Sequence, residues 1–223
     1  MSSPTKAPHR SATELKITEI FRSIQGESAS AGWPTTFVRL TGCPLRCTWC
    51  DTAYAFHGGE WWTIDAVLEQ VGNNGCRHVC VTGGEPLAQK TCLKLLTRLC
   101  DAGHRVSLET SGALPVADVD PRVVKVLDLK LPGSGEAARN DWQNLDHLQA
   151  HDEIKFVVAD RDDFDQAVTW VREHDLERWT VWFSPVWESL DATTLADWLL
   201  ESGLDARLQV QLHKVLWGEK QGV

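Results

Sequence analysis

The sequence predicts an α/β fold, an open, partial (β/α)6-type barrel on a parallel sheet, and three observations lead there. Short β-branched runs alternate with stretches of helical period from Leu15 onward, the order that parallel β–α units produce. About six such units fit the length, too few to close an eight-stranded barrel. The marked glycine and cysteine segments follow predicted strands directly, where α/β sheets gather their chemistry.

Residues 1–13 are polar and offer no apolar area to bury, so a loose tail is expected ahead of one domain over residues 14–223. Ile17–Phe21 and Thr36–Leu40 read as strands, the second leading into a cysteine loop. Thr63–Val71 has helical spacing, with the Thr63 hydroxyl as its N-cap. His78–Thr82 is a strand and Lys90–Cys100 an amphipathic helix that Gly103 stops. Arg105–Glu109, Val123–Leu129 and Ile154–Val158 are further strands. The last third repeats the theme with helix Asp162–His174, strand Thr180–Ser184, helix Ala192–Leu200 capped by Asp191, and strand Ala206–Gln211.

Composition narrows the function. With 43% hydrophobic and 24% charged residues in 223, usage is that of an ordinary globular chain. A net charge of −9 removes any broad attraction to nucleic acid or anionic membrane, so a small-molecule partner is expected. No apolar run approaches the roughly 20 residues of a bilayer span. Seven cysteines, an odd number, and an N-terminus without a secretory pattern suit a reducing, cytoplasmic setting. Eleven Trp beside one Tyr and one Met is unusual and explains nothing about function.

Cys43, Cys47 and Cys50 form a C-x3-C-x2-C set on one short loop with no equally close fourth ligand. Soft thiolates in this number can hold an iron–sulfur cube with one iron left open. A closed Cys3His zinc site completed by His57 is the rival, although structural zinc favours paired Cys-x2-Cys knuckles and one such pair exists here. Gly83-Gly84-Glu85-Pro86 follows the His78–Thr82 strand and Thr110-Ser111-Gly112 follows Arg105–Glu109, so three loops converge on one mouth. Cys76, Cys80, Cys92 and Cys100 read as small buried hydrophobes.

The cysteine spacing, with Trp49 just before the last Cys, resembles the radical S-adenosylmethionine (SAM) superfamily. Further segments sharpen this: Glu19 to Glu27 with Ile24-Gln25-Gly26-Glu27, Phe37-Val38-Arg39-Leu40, Cys50-Asp51-Thr52, Thr82 to Pro86, Glu109 to Gly112 and Gln211-Leu212-His213-Lys214. Together they resemble the 7-carboxy-7-deazaguanine synthase family from about Glu19 to the C-terminus. That family converts 6-carboxy-5,6,7,8-tetrahydropterin to 7-carboxy-7-deazaguanine, with loss of ammonia, on the route to queuosine and other deazapurines.

The resemblance implies a 4Fe–4S cluster on Cys43, Cys47 and Cys50, with SAM contacted by Trp49, Cys50, Asp51, Gly84, Ser111, Asp128, Leu129 and Lys130. It places the pterin against Ile24, Gln25, Gly26, Arg39, Thr82 and His213, and a Mg2+ at Thr52. A flavodoxin-type reductant and a homodimer are expected with it. Charge logic supports an anion opposite Arg39, either the substrate carboxylate or a structural partner such as Glu27. Asp128-Leu129-Lys130 stands where some members carry Ser-Pro-Lys, Ser28 where a glycine often stands, and the chain runs past the point where some members end. Outside the family, an activase that installs a glycyl radical on a partner protein shares the cysteine loop, and a zinc-stabilised interaction domain is the non-enzyme alternative.

Overall fold

The computed structural model describes residues 13–218, 220 and 222; the tail expected over residues 1–13 lies, apart from Thr13, outside them. In chain order the strands are β1 (Glu14–Ile24), β2 (Pro34–Leu40), β3 (Glu60–Thr63), β4 (His78–Gly83), β5 (Arg105–Thr110), β6 (Val124–Leu129), β7 (Glu153–Val158), β8 (Thr180–Pro185) and β9 (Arg207–Leu208). They form one open sheet in the order β3-β1-β2-β4-β5-β6-β7-β8-β9. From β2 through β4 to β9 every pairing is parallel. Among the described residues no helix is long and apolar enough to cross a membrane.

The helices are α1 (Ile64–Asn74), α2 (Thr91–Asp101), α3 (Arg161–Glu173), α4 (Ala192–Ser202) and the short α5 (Leu212–Trp217). Their starts follow the sequence: Thr63 accepts from the Ala66 N–H and Asp191 from that of Thr194, while Asp160 caps α3 in the same way. Gly75 and Gly203 end α1 and α4 in the left-handed conformation that glycine adopts without strain.

The structure departs from the uniform β–α pattern in three places. First, β1 runs antiparallel to both β2 and β3, making a mixed sheet with an antiparallel edge. The connection from β1 to β2 spans residues 25–33, too short for the dozen or more that a parallel crossover requires. Second, no α-helix lies between β5 and β6, and three short 3-10 turns replace one between β6 and β7. Pro115 and Pro121 in the first connection, and Pro132-Gly133-Ser134-Gly135 in the second, prevent a regular helix. Third, the strand expected over Ala206–Gln211 contracts to Arg207–Leu208.

Side-chain alternation divides the parallel strands into two faces. Val38, Leu40, Val81, Leu108, Leu127, Leu129, Ile154, Phe156 and Phe183 join one buried apolar cluster with residues of α1 to α4. The residues between them, Arg39, Thr82, Glu109, Asp128, Lys155 and Ser184, turn to the other, inner face. That face is polar, and it carries Arg39, Thr82 and Asp128 of the predicted site.

Candidate active site

The cysteine loop leaves β2 and is pinned on three sides. The Gly42 N–H donates to the Ala55 carbonyl at 2.8 Å, and the Glu85 N–H donates to the Gly42 carbonyl at 2.9 Å. Thr48 donates through both N–H and Oγ1 to the Ser134 carbonyl, at 3.0 and 3.2 Å. Leu45 is buried between the cysteines, and Arg46 covers the Phe56 ring at 4.3 Å. All three cysteines are free of disulfides and partly exposed on a backbone that these contacts hold. Burial, the first cause for each, raises the Cys43 and Cys47 thiols, and the Lys130 ammonium opposes it in both. His57, the proposed zinc ligand, is exposed, and among the described residues no three His, Cys, Asp or Glu side chains are grouped to hold a single metal ion.

Gly83 and Gly84 weld this loop to β4. A Cβ on Gly83 would collide with the Leu40 backbone, and one on Gly84 would meet the Gly42 carbonyl and lie 2.7 Å from Cys43 Cβ. The glycine pair therefore has a reason within the protein, close backbone approach, besides the ligand contact that the sequence suggested. Glu85 then knots the mouth together: fully buried, its carboxylate accepts from Thr110 Oγ1 at 2.9 Å, the Ser111 N–H at 2.8 Å and Ser111 Oγ at 2.6 Å. Ser111 thus spends its hydroxyl proton on Glu85 and has only lone pairs to offer a ligand.

Across the inner face the polar side chains are cross-linked. Thr82 Oγ1 donates to Glu109 Oε2 at 2.8 Å, and Gln25 Nε2 reaches Glu109 Oε1 at 3.4 Å. Lys155 Nζ donates to Glu27 Oε2 at 2.7 Å and lies 4.0 Å from Asp128 Oδ2, which also holds Lys130 Nζ at 3.0 Å. Burial alone would lower the Lys130 ammonium, but the negative charge of Asp128, and of Cys47 as thiolate, outweighs it and holds its pKa up. Asn140 clamps the Lys130 backbone, accepting from its N–H and donating to its carbonyl, both at 2.9 Å. The Leu129 side chain is buried in the helix-covered core, so only its backbone can reach a ligand on the inner side.

The base of the interior is closed by two segments distant in sequence. The Gln25–Ser28 loop meets the C-terminal stretch: Leu212 N–H donates to the Gly26 carbonyl at 3.0 Å and Gln211 Nε2 to Glu27 Oε1 at 2.9 Å. Gln209 and Ser28 exchange two further bonds, at 2.6 and 3.1 Å. The His213 ring occupies the space that a Cβ on Gly26 would need, which is why that position is glycine. Burial lowers the His213 pKa, against the pull of Glu27, Asp51 and Glu109. From the next residue, Lys214 Nζ reaches Asp51 Oδ2 at 3.4 Å, and Asp51 Oδ1 accepts from Thr52 Oγ1 at 2.7 Å.

One alternative read from the sequence changes here. Arg39 pairs with Glu19, not Glu27: its Nε donates to Glu19 Oε1 at 2.7 Å, because β1 and β2 face each other at Glu19↔Arg39. Glu27 instead takes Lys155. Sequence reasoning missed Glu109 and Lys155 as members of the site. The signal was there for Lys155, a cation in the otherwise apolar run Ile154 to Val158; a charged side chain in such a strand needs a polar face to turn to.

The radical SAM superfamily profile matches residues 37–186. The chain is 43% identical to the 7-carboxy-7-deazaguanine synthase of Koribacter versatilis over 94% of its own length and 100% of that protein. It is 44% identical to the enzyme of the same name from Chlorobaculum tepidum, over 91% of this chain and 94% of that one. The crystal structure of QueE from Escherichia coli superposes with a TM-score of 0.76 at 27% identity, covering 90% of this chain and 95% of that one.

Proposed function

The chain belongs to the 7-carboxy-7-deazaguanine synthase family of the radical SAM superfamily, and from that premise we propose that it converts 6-carboxy-5,6,7,8-tetrahydropterin to 7-carboxy-7-deazaguanine with loss of ammonia. The observation that carries the reading at residue level is the polar inner face, where donors and acceptors from β2, β4, β5, β6 and β7 gather directly beneath the cysteine loop. A small, flat, donor-rich and anionic substrate suits such a lining better than an apolar ligand or a protein surface.

The family's 4Fe–4S cluster and SAM fit the residues present. Cys43, Cys47 and Cys50 offer three thiols free of disulfides as soft ligands, with the Lys130 ammonium acting on Cys43 and Cys47. When bound, the cluster and SAM supply the radical chemistry that starts the reaction. The chain's part is to hold and orient. Trp49, Cys50, Asp51, Gly84, Ser111 and the Asp128–Lys130 backbone form the SAM side. Ile24, Gln25, Gly26, Arg39, Thr82 and His213 form the pterin side, with Glu109 fixing the Thr82 hydroxyl. Arg39 is tied to Glu19 through Nε, which leaves its terminal nitrogens to take a carboxylate.

Thr52 suits the Mg2+ site, because its hydroxyl proton is given to Asp51 and its oxygen lone pairs remain for a hard cation. A flavodoxin-type electron donor and a homodimer complete the reading. Incubating the reduced, cluster-loaded protein with SAM and the carboxytetrahydropterin, followed by mass analysis, tests it. Many molecules of 7-carboxy-7-deazaguanine per SAM are expected. Accumulation of 5′-deoxyadenosine without the deazaguanine would favour an activase and sink the proposal.

A further inference from the structure

Lys155 stands in β7 between Ile154 and Phe156, both fully buried in the apolar core, yet its own side chain turns to the inner face. There one ammonium meets carboxylates from separate parts of the chain. Glu27 of the base loop is bonded to it at 2.7 Å, and Asp128 of β6 lies at 4.0 Å. Glu109 of β5 and Asp51 of the cysteine loop act on it electrostatically. Glu27 passes the connection on, because its other oxygen accepts from Gln211 in the C-terminal segment. A self-contained structural pair would leave nothing over. Here Asp128 Oδ1 is buried without a hydrogen-bond partner, the one carboxylate oxygen so placed among the described residues. An unmatched buried acceptor is costly, and a ligand donor would relieve it.

Resting on the substrate reading above, we infer that Lys155 is a positioning residue for the pterin: it fixes the Glu27 carboxylate beside Asp128, which Lys130 holds, so that the free lone pairs of the two carboxylates meet ring N–H donors. The charge balance agrees with the geometry. Burial would push Glu27 up, but Lys155, helped by Gln211 and His213, holds it below the usual carboxylate range. Lys155 itself stays well above its ordinary value despite burial, through Glu27, Asp128 and Glu109. The charged groups facing Glu27 are Lys155 from β7 and His213 from α5. Those facing Lys155 are Glu27, Asp128, Glu109, Asp51 and, with like charge, Lys130.

The sign of a pH effect follows. With Lys155→Met, burial acts on Glu27 without its main opponent, so the Glu27 pKa rises. The acid side of the kcat/KM profile should then move to higher pH by about 1–3 units. The experiment compares wild type, Lys155→Met, Lys155→Arg and the Glu27→Gln/Lys155→Met pair, all cluster-loaded, in pterin turnover against pH. Lys155→Met is expected to shift the acid limb up and raise the pterin KM, with iron content unchanged; Lys155→Arg should restore the wild-type limb. The double variant buries no lone charge, so it remains testable where Lys155→Met does not fold, and its acid limb should lose the Glu27 titration. A Lys155→Met profile overlying that of wild type, or a double variant with the wild-type limb, overturns the role of Lys155. Failure of wild type to make product overturns the function itself, and the two failures are distinct.

Discussion

Lys155 and Phe156 are neighbours in β7 with opposite fates. Phe156 is buried against Phe183 and Trp170, at ring distances of 5.5 and 6.4 Å, in the cluster that holds α3 and α4 to the sheet. Lys155 turns into a face of ionised and hydrogen-bonded side chains. One residue's step along a strand separates the fold from the chemistry, because side chains of period two point to opposite faces. The outer face can be judged by stability. The inner face has to be judged by what it binds and at which pH.

The sharpest break between the two is expected at the cysteine loop. Cys43→Ala, Cys47→Ala or Cys50→Ala should each abolish iron binding and all turnover, since a cube with two remaining thiolates is not retained. Folding should be little affected, because the loop is held by Gly42, Leu45 and Thr48 rather than by its thiols. Cys76→Ala and Cys92→Ala, in buried positions away from the loop, should keep both iron and activity. Iron analysis and the absorbance spectrum of the anaerobically reconstituted protein decide it. Iron lost from the Cys76 variant and kept in the Cys47 variant would refute the assignment of the cluster.

Next in size is the outer face. Phe156→Ala should cost about 3–5 kcal/mol of stability, the usual result of emptying a phenylalanine site in a packed core. The folded fraction should keep the wild-type pH profile, in contrast to Lys155→Met beside it. Denaturant midpoints together with the kcat/KM profile measure both. A moved acid limb in the Phe156 variant would mean that the two faces are coupled and that the division drawn here is too clean.

How far the sequence carried depends on the same division. Thr63 and Asp191 capped their helices as read, and the strands from His78 to Pro185 fell within a residue or so of expectation, because local spacing and capping chemistry decide them. The antiparallel edge at β1 was not read, since the length of the residue 25–33 connection, rather than any pattern inside the strands, dictates it. The three-cysteine loop was legible as a motif. Which carboxylate faces which cation was not: Arg39 found Glu19 through strand register, and Glu27 found Lys155 across 128 residues of chain. Pairings of that kind belong to the closed fold, and no local spacing encodes them.

The smallest expected effect lies at the margin between cysteine loop and C-terminal segment. Thr52 donates its hydroxyl proton to Asp51, which Lys214 holds from the other side at 3.4 Å. If the Thr52 oxygen is a Mg2+ ligand, Thr52→Ala should weaken the dependence of turnover on Mg2+ by about 10-fold, because a cation that already keeps several waters can accept one more. The iron content should not change, since Thr52 lies outside the thiol set. Titrating Mg2+ into chelator-treated wild type and variant measures this directly. Equal turnover with and without chelator in the wild type would remove the cation from the site, and Thr52 would then serve only to orient Asp51 toward Lys214.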